Sequence, residues 1–212
     1  MDDPDFIRCC EPTPVTARIL ELLEERSIPH RFVEHGPTRT SEESAAARGE
    51  SIDIGGKSIV LKVGDTFRVC VLSAGLQLGS NAVRRHFGEK RARFASREEL
   101  MDLTGLVPGC VPPFGRPILD LPNCLDEGFL SNDRIAFNAG SLTRSVVMSL
   151  DDYLEVARPE IFPFAKANER TLPSRAVAGF CSVHSEYSEQ LRPELRVPGR
   201  SPYLSTECPS IG

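Results

Sequence analysis

The chain has 212 residues, 40% hydrophobic and 26% charged, which fits one soluble globular domain of ordinary size with an appendage. A formal net charge of -5 argues against broad electrostatic binding to nucleic acid and leaves room only for a local basic patch. No apolar run approaches the ~18 residues that a membrane span needs, and the acidic start Met1, Asp2, Asp3 lacks the basic and apolar parts of a signal peptide, so a cytoplasmic protein is expected.

The seven cysteines follow no pairing pattern, with Cys9 and Cys10 adjacent and the other five scattered. With no C-x-x-C and no nearby histidine pair, reduced thiols are expected and a metal site is not.

Residues 1–14 are polar and punctuated by proline, a loose lead-in. Over 15–26, Ile19, Leu20, Leu22 and Leu23 recur at helical spacing opposite Glu21, Glu24 and Glu25, which predicts an amphipathic helix. Pro29 stops it. Residues 30–34 read as a short strand. Thr40 and Glu43 then stand at capping-box spacing before a short helix that Gly49 ends.

The central stretch runs from Gly55 to Asp65. Ile59, Val60, Leu61 and Val63 predict a strand, Gly64 and Asp65 a turn, and residues 67–72 a second strand. Lys57 stands at the glycine-marked mouth of the first strand. It is either a surface lysine with its stem along apolar surface or a cation placed to meet a phosphate or carbonyl oxygen.

Residues 73–79 read as a loop, with Ser80 and Asn81 capping a helix over 82–87. A strand over 91–95 follows, then a helix over 97–103 with Ser96 and Glu99 as its capping box. Residues 107–115 hold three prolines and two glycines and cannot be regular structure. Further strands are predicted at 118–121, 134–137 and 145–148, and a closing helix at 150–157 capped by Ser149. Past Asn168 the prolines and serines predict a disordered or loosely attached tail, 168–212. The core, 15–167, is therefore an α+β or mixed α/β single domain, its mixed or mostly antiparallel central sheet flanked by helices.

The chemistry is marked first by what the sequence lacks. It has no G-x-G-x-x-G, Walker A, H-E-x-x-H or G-x-S-x-G motif, and no serine or cysteine stands beside an evident base. What remains is glycine-bearing loops, 107–115 and 137–141, whose backbone N–H groups can form anion-binding concavities or oxyanion holes, or simply connect elements. Arg84, Arg85, His86, Lys90, Arg91 and Arg93 gather positive charge within ten residues, either a solvated face or a phosphate-contacting patch.

Several of these segments occur in a telling order: Ile28-Pro29, Glu34-His35, Thr40 to Glu43, Gly56-Lys57-Ser58, Arg93-Phe94-Ala95-Ser96, Gly109 to Gly115, and Phe137 to Gly140. Together they resemble the YbaK/EbsC family, similar to the editing domain inserted in bacterial prolyl-tRNA synthetases. The resemblance implies a free-standing aminoacyl-tRNA deacylase that needs no cofactor. It would hydrolyse a small amino acid (alanine, cysteine, serine or 2-aminobutyrate) from a tRNA, that for proline being the leading choice.

In family terms Lys57 holds the aminoacyl ester or terminal phosphate, and Gly140 shares the catalytic role through its turn. The resemblance places substrate binding at His35, Thr40, Lys62, Gly109, Pro113, Phe114, Gly115, Asn138 and Ala139. Arg84, Arg85, Lys90 and Arg91 are the expected nucleic-acid contacts. The partners are the acceptor end of an aminoacyl-tRNA and prolyl-tRNA synthetase, with no DNA and no membrane. An ester is already activated, so a held water or the neighbouring ribose hydroxyl can attack without a protein nucleophile. Two other readings stay open: a non-catalytic nucleotide- or tRNA-binding module of the same fold, and an adaptor working through its proline-rich tail.

Overall fold

The computed structural model describes residues 11–38 and 40–167. The expected tail 168–212 and most of the expected lead-in lie outside the described residues.

Helix α1 is Pro14–Glu25; Thr13 caps it, its side chain accepting from the Thr16 N–H while the Thr16 side chain answers the Thr13 N–H. The lead-in therefore ends earlier than residue 14. Ile19 and Leu23, one turn apart, are fully buried, as the 3.6-residue period requires. Strand β1 is His30–Glu34 and helix α2 is Ser41–Arg48, with the capping box of Thr40 and Glu43 in place and Gly49 left-handed at its end.

A 3-10 turn, Ile52–Ile54, leads into β2, Gly56–Val63, and β3, Thr66–Ser73. Then come β4 at Gln77–Leu78, α3 at Ser80–His86, β5 at Ala92–Phe94 and α4 at Arg97–Thr104. The second half holds β6 at Asn123–Asp126, β7 at Arg134–Asn138, β8 at Arg144–Ser149 and α5 at Leu150–Ala157. Strands β9, Glu160–Phe162, and β10, Ala165–Lys166, close it.

The fold is mixed α/β. A five-stranded sheet runs in the order β5-β2-β3-β6-β9, antiparallel across β5-β2-β3 and parallel across β3-β6-β9. A three-stranded antiparallel sheet runs β1-β8-β7, and a parallel bridge between Gly55 and Ala136 joins the two where they meet. The period-2 alternation of β2 and β3 divides the interior. Val60, Val69 and Val71 face a core shared with α1, α5 and the loop through Phe114. Leu61, Val63, Cys70 and Leu72 face a second core with Val83, Phe162 and Phe164. The buried carboxylate of Asp126 accepts from the N–H groups of Phe164 and Ala165, both at 2.6 Å, and ties the end of the described chain to the sheet. Cys70 and Cys124 are buried free thiols, and Cys110 is buried as well.

Three local expectations are corrected. The strand expected at 118–121 is a turn: the N–H groups of Ile118 and Leu119 both donate to the Gly115 carbonyl, at 3.0 and 2.9 Å. A short apolar run carries no period of its own, and here its side chains fill a turn packed into the core. Ser80 and Asn81 lie inside α3 and do not cap it; Gly79 holds the cap position without a side-chain bond. The expected loop 73–79 contains β4, which pairs with β10.

Candidate active site

The site begins with two glycines where a side chain has little room. A Cβ on Gly55 would lie 2.9 Å from the Ala74 Cβ, and one on Gly56 would lie 3.0 Å from the Ile135 Cδ1. Residues without a Cβ let the two sheets touch there, and Lys57 emerges at the seam.

The edge of β2 is open beside it. Strand β5 pairs only with Leu61, Lys62 and Val63, and its last contact is the Ala95 N–H donating to the Val60 carbonyl at 2.9 Å. Because main-chain groups alternate sides along a strand, those of Ser58 point the same way as those of Val60, toward the side where no described strand pairs. A cavity of about 400 Å³ occupies that side. Thr40, Ser41 and Arg48 of the α2 region form one wall, Lys57 and Ser58 another, and Gly109 and Asn138 a third. Val60, Leu100 and Val111 make its apolar floor and Phe94 its rim.

Lys57 is half-buried. Its Nζ donates to the Leu76 carbonyl at 2.5 Å and the Ala74 carbonyl at 3.4 Å. Two of the three ammonium donors are thus taken by the β3–β4 loop, and a third is left for a ligand in the cavity. Burial lowers the Lys57 pKa below the ordinary lysine value, and the Glu42 carboxylate partly restores it.

Arg48 is the residue that sequence reasoning missed. It is buried on the cavity wall, and its partners among the described residues are all uncharged: Ser145 Oγ at 2.9 Å, the Ala136 carbonyl at 3.3 Å and Asn138 Oδ1 at 2.5 Å. Burial draws its pKa down to about 10. The only sequence signal was a basic residue in the last turn of α2, a common surface placement that favours the helix dipole.

Asn138 passes the constraint on, its Nδ2 donating to the Gly109 carbonyl at 2.8 Å. His35 reaches the same cluster, with Nε2 at 2.8 Å from Ser145 Oγ and Nδ1 at 2.8 Å from the Gly36 carbonyl. Lys57, Thr40, Gly109 and Asn138 are therefore brought to one cavity, with His35 behind the Arg48 wall.

The other expected site residues sit elsewhere. Lys62 is five residues from Lys57 and so on the opposite face of β2, its Nζ 5.3 Å from the Phe67 ring centroid. Pro113, Phe114 and Gly115 lie beneath the loop. The Pro113 carbonyl accepts from Tyr153 Oη at 2.6 Å, and the Phe114 ring meets those of Phe137 and Tyr153. A Cβ on Gly115 would stand 2.4 Å from the Leu121 carbonyl oxygen. Ala139 and Gly140 face α1, their carbonyls accepting from Thr16 Oγ1 at 2.6 Å and Thr13 Oγ1 at 3.1 Å. They fasten that helix and do not line the cavity.

In the basic cluster, Arg85, Lys90 and Arg91 are exposed. Arg84 braces their turn through the Lys90 carbonyl at 3.4 Å, and Arg93 is bound by both carboxylate oxygens of Glu99 at 2.6 Å. Among the described residues no group of histidine, cysteine and carboxylate side chains could hold a metal ion, and no helix is long and apolar enough to cross a membrane.

Residues 35–156 match the model of the aminoacyl-tRNA editing domain. The multifunctional Ser/Thr-tRNA deacylase ProXp-y of Escherichia coli is 35% identical over 156 residues, covering 70% of this chain and 92% of that protein. The proline--tRNA ligase of Shouchella clausii is 31% identical over 202 residues; the match takes in 90% of this chain but 34% of the ligase. A solved structure provisionally described as a trans-editing enzyme for prolyl tRNA synthetase superposes with a TM-score of 0.65 at 26% identity, over 74% of this chain and 100% of that one.

Proposed function

The chain belongs to the aminoacyl-tRNA editing domain family and is an aminoacyl-tRNA deacylase; on that premise we propose how its cavity does the work and on which esters. The substrate is a small amino acid esterified to the terminal ribose of a tRNA, with the tRNA for proline as the leading choice and the protein working in the cytoplasm beside prolyl-tRNA synthetase. The observation that carries the reading is the Lys57 ammonium, held at 2.5 Å by the Leu76 carbonyl on the wall of a cavity of about 400 Å³.

The reaction needs no protein nucleophile. A water molecule adds to the ester carbonyl carbon, the bond to the ribose oxygen breaks, and the water's proton passes to that oxygen. The amino acid leaves as a carboxylate, and the water's second proton goes to solvent. Lys57 supplies positive charge to the carbonyl oxygen or the adjoining phosphate, where it counts most in the transition state. Asn138, held by Arg48, keeps the Gly109 loop in place, so that water and ester meet in one orientation. The hydroxyls of Thr40 and Ser41 supply further polar contacts at the α2 end.

Amino-acid choice then rests on cavity size and the polar wall. A single methylene discriminates by only ~1–3 kcal/mol, so several small residues are expected to be accepted. The ProXp-y relative, named for serine and threonine, supports adding threonine to the candidates. The test is deacylation of tRNAs charged with alanine, cysteine, serine, threonine or 2-aminobutyrate. Release of one or more small residues, with proline left on its tRNA, supports the proposal; release of none by folded protein overturns it.

A further inference from the structure

Phe94 stands out among the described residues: its side chain is 59% exposed, more than Leu130 at 43%, Ile161 at 41% or Phe32 at 38%. It is the last residue of β5 and forms the rim of the cavity. An aromatic ring exposed at the rim of a cavity offers its face to a flat ligand.

Its position specifies that partner. Phe94 pairs with Leu61, so it lies on the same face of the sheet as Leu61, Ile59 and Lys57, which follow one another at two-residue steps along β2. From Leu61 back to Lys57 is four residues, or ~13 Å of strand. In the other direction the Arg91 carbonyl accepts from the Gly64 N–H at 3.0 Å, exposed Lys90 precedes it, and exposed Arg85 stands in the last turn of α3. Along β2 the order is therefore ammonium, aromatic ring, basic turn. A single-stranded nucleic-acid end that carries an ester on its last ribose presents the matching order of ester, base and upstream phosphates.

We infer that Phe94 is the stacking platform for the base of the terminal nucleotide, with Arg85, Lys90 and Arg91 meeting the phosphates that precede it. This rests on the deacylase reading above and deepens it. Stacking on an aromatic face suits a terminal base, because an unpaired base offers its π-face whatever its hydrogen-bonding edge. The basic turn favours a polyanion over the apolar side chain of a protein partner.

The test uses an acceptor-stem minihelix whose terminal adenine is replaced by fluorescent 2-aminopurine, and a second whose terminal nucleotide has no base. Both are titrated with wild type, Phe94→Ala and Phe94→Trp. Wild type and Phe94→Trp are expected to quench the terminal 2-aminopurine. Phe94→Ala is expected to leave it bright and to bind about tenfold more weakly, given the usual strength of base–aromatic stacking. With the baseless minihelix that difference should vanish. Absence of quenching by wild type would overturn the inference, as would an equal loss on both minihelices. Neither result touches the deacylase reading, which stands or falls on release of amino acid by wild type.

Discussion

The Nη2 of Arg48 lies 2.5 Å from Oδ1 of Asn138, so a buried cation on α2 holds the side chain whose other end grips the Gly109 carbonyl. One guanidinium thereby links the end of a helix, the end of β7 and the loop that closes the cavity. The Arg48→Met variant keeps the bulk and removes the donors. It leaves Ser145, Asn138 and the Ala136 carbonyl short of partners, and a buried acceptor left unmet costs ~1–3 kcal/mol. Urea unfolding is expected to show a loss in that range. Deacylation under conditions where the variant is folded should fall in kcat more than KM rises, because the loop loses its position.

Glu42 partly offsets, from outside, the effect of burial on Lys57. Burial lowers the Lys57 pKa and the Glu42 carboxylate raises it, so Glu42→Gln should lower it further. The sign follows from which form burial disfavours. Below its folded pKa the ammonium carries a cost relative to the unfolded chain, and the cost is relieved as pH rises through that pKa toward the ordinary lysine value. A titration of the Lys57 side chain by NMR should therefore move to lower pH in Glu42→Gln. The alkaline limb of kcat/KM should move the same way, after subtraction of spontaneous ester hydrolysis. An unmoved titration would show that Glu42 does not govern Lys57.

Gly115 allows a close approach that no other residue can make. A Cβ there would meet the Leu121 carbonyl oxygen at 2.4 Å and Asn123 Cβ at 3.0 Å, both on the segment entering β6. Gly115→Ala must shift backbone, and overpacking of this kind costs ~1–3 kcal/mol. Thermal unfolding should show the loss. Because Pro113 and Phe114 anchor the cavity loop from beneath, activity should fall together with stability.

The sequence made legible whatever depends on local pattern. The capping boxes at Thr40 and Ser96 stand where their spacing put them, as does the β2–β3 hairpin with its glycine turn. The motif order through Lys57, Gly109 and Asn138 pointed to residues that meet at one cavity. What stayed hidden depends on long-range contact. The run Ile118, Leu119 and Leu121 is apolar whether it is a strand or a packed turn. Nothing near Arg48 in sequence shows that Ser145 and Asn138 will enclose it. Lys62 carries the same side chain as Lys57, and only strand pairing reveals that it faces Phe67 on the other side of the sheet. Gly140 reads as a sharp turn after a strand, but its use against α1 depends on Thr13, 127 residues away.

The central claim is that Lys57 supplies the charge that makes the cavity a deacylase. Single-turnover hydrolysis of a mischarged tRNA by wild type, Lys57→Ala and Lys57→Arg tests it most directly, with circular dichroism confirming that each is folded. Because Ala74 and Leu76 are only half-buried, so that water can take the place of the ammonium at their carbonyls, Lys57→Ala is expected to fold normally. It should lose at least a hundredfold in rate, as loss of one preorganised transition-state contact does, while Lys57→Arg keeps the charge and retains part of the activity. Hydrolysis by Lys57→Ala at the wild-type rate would contradict the account.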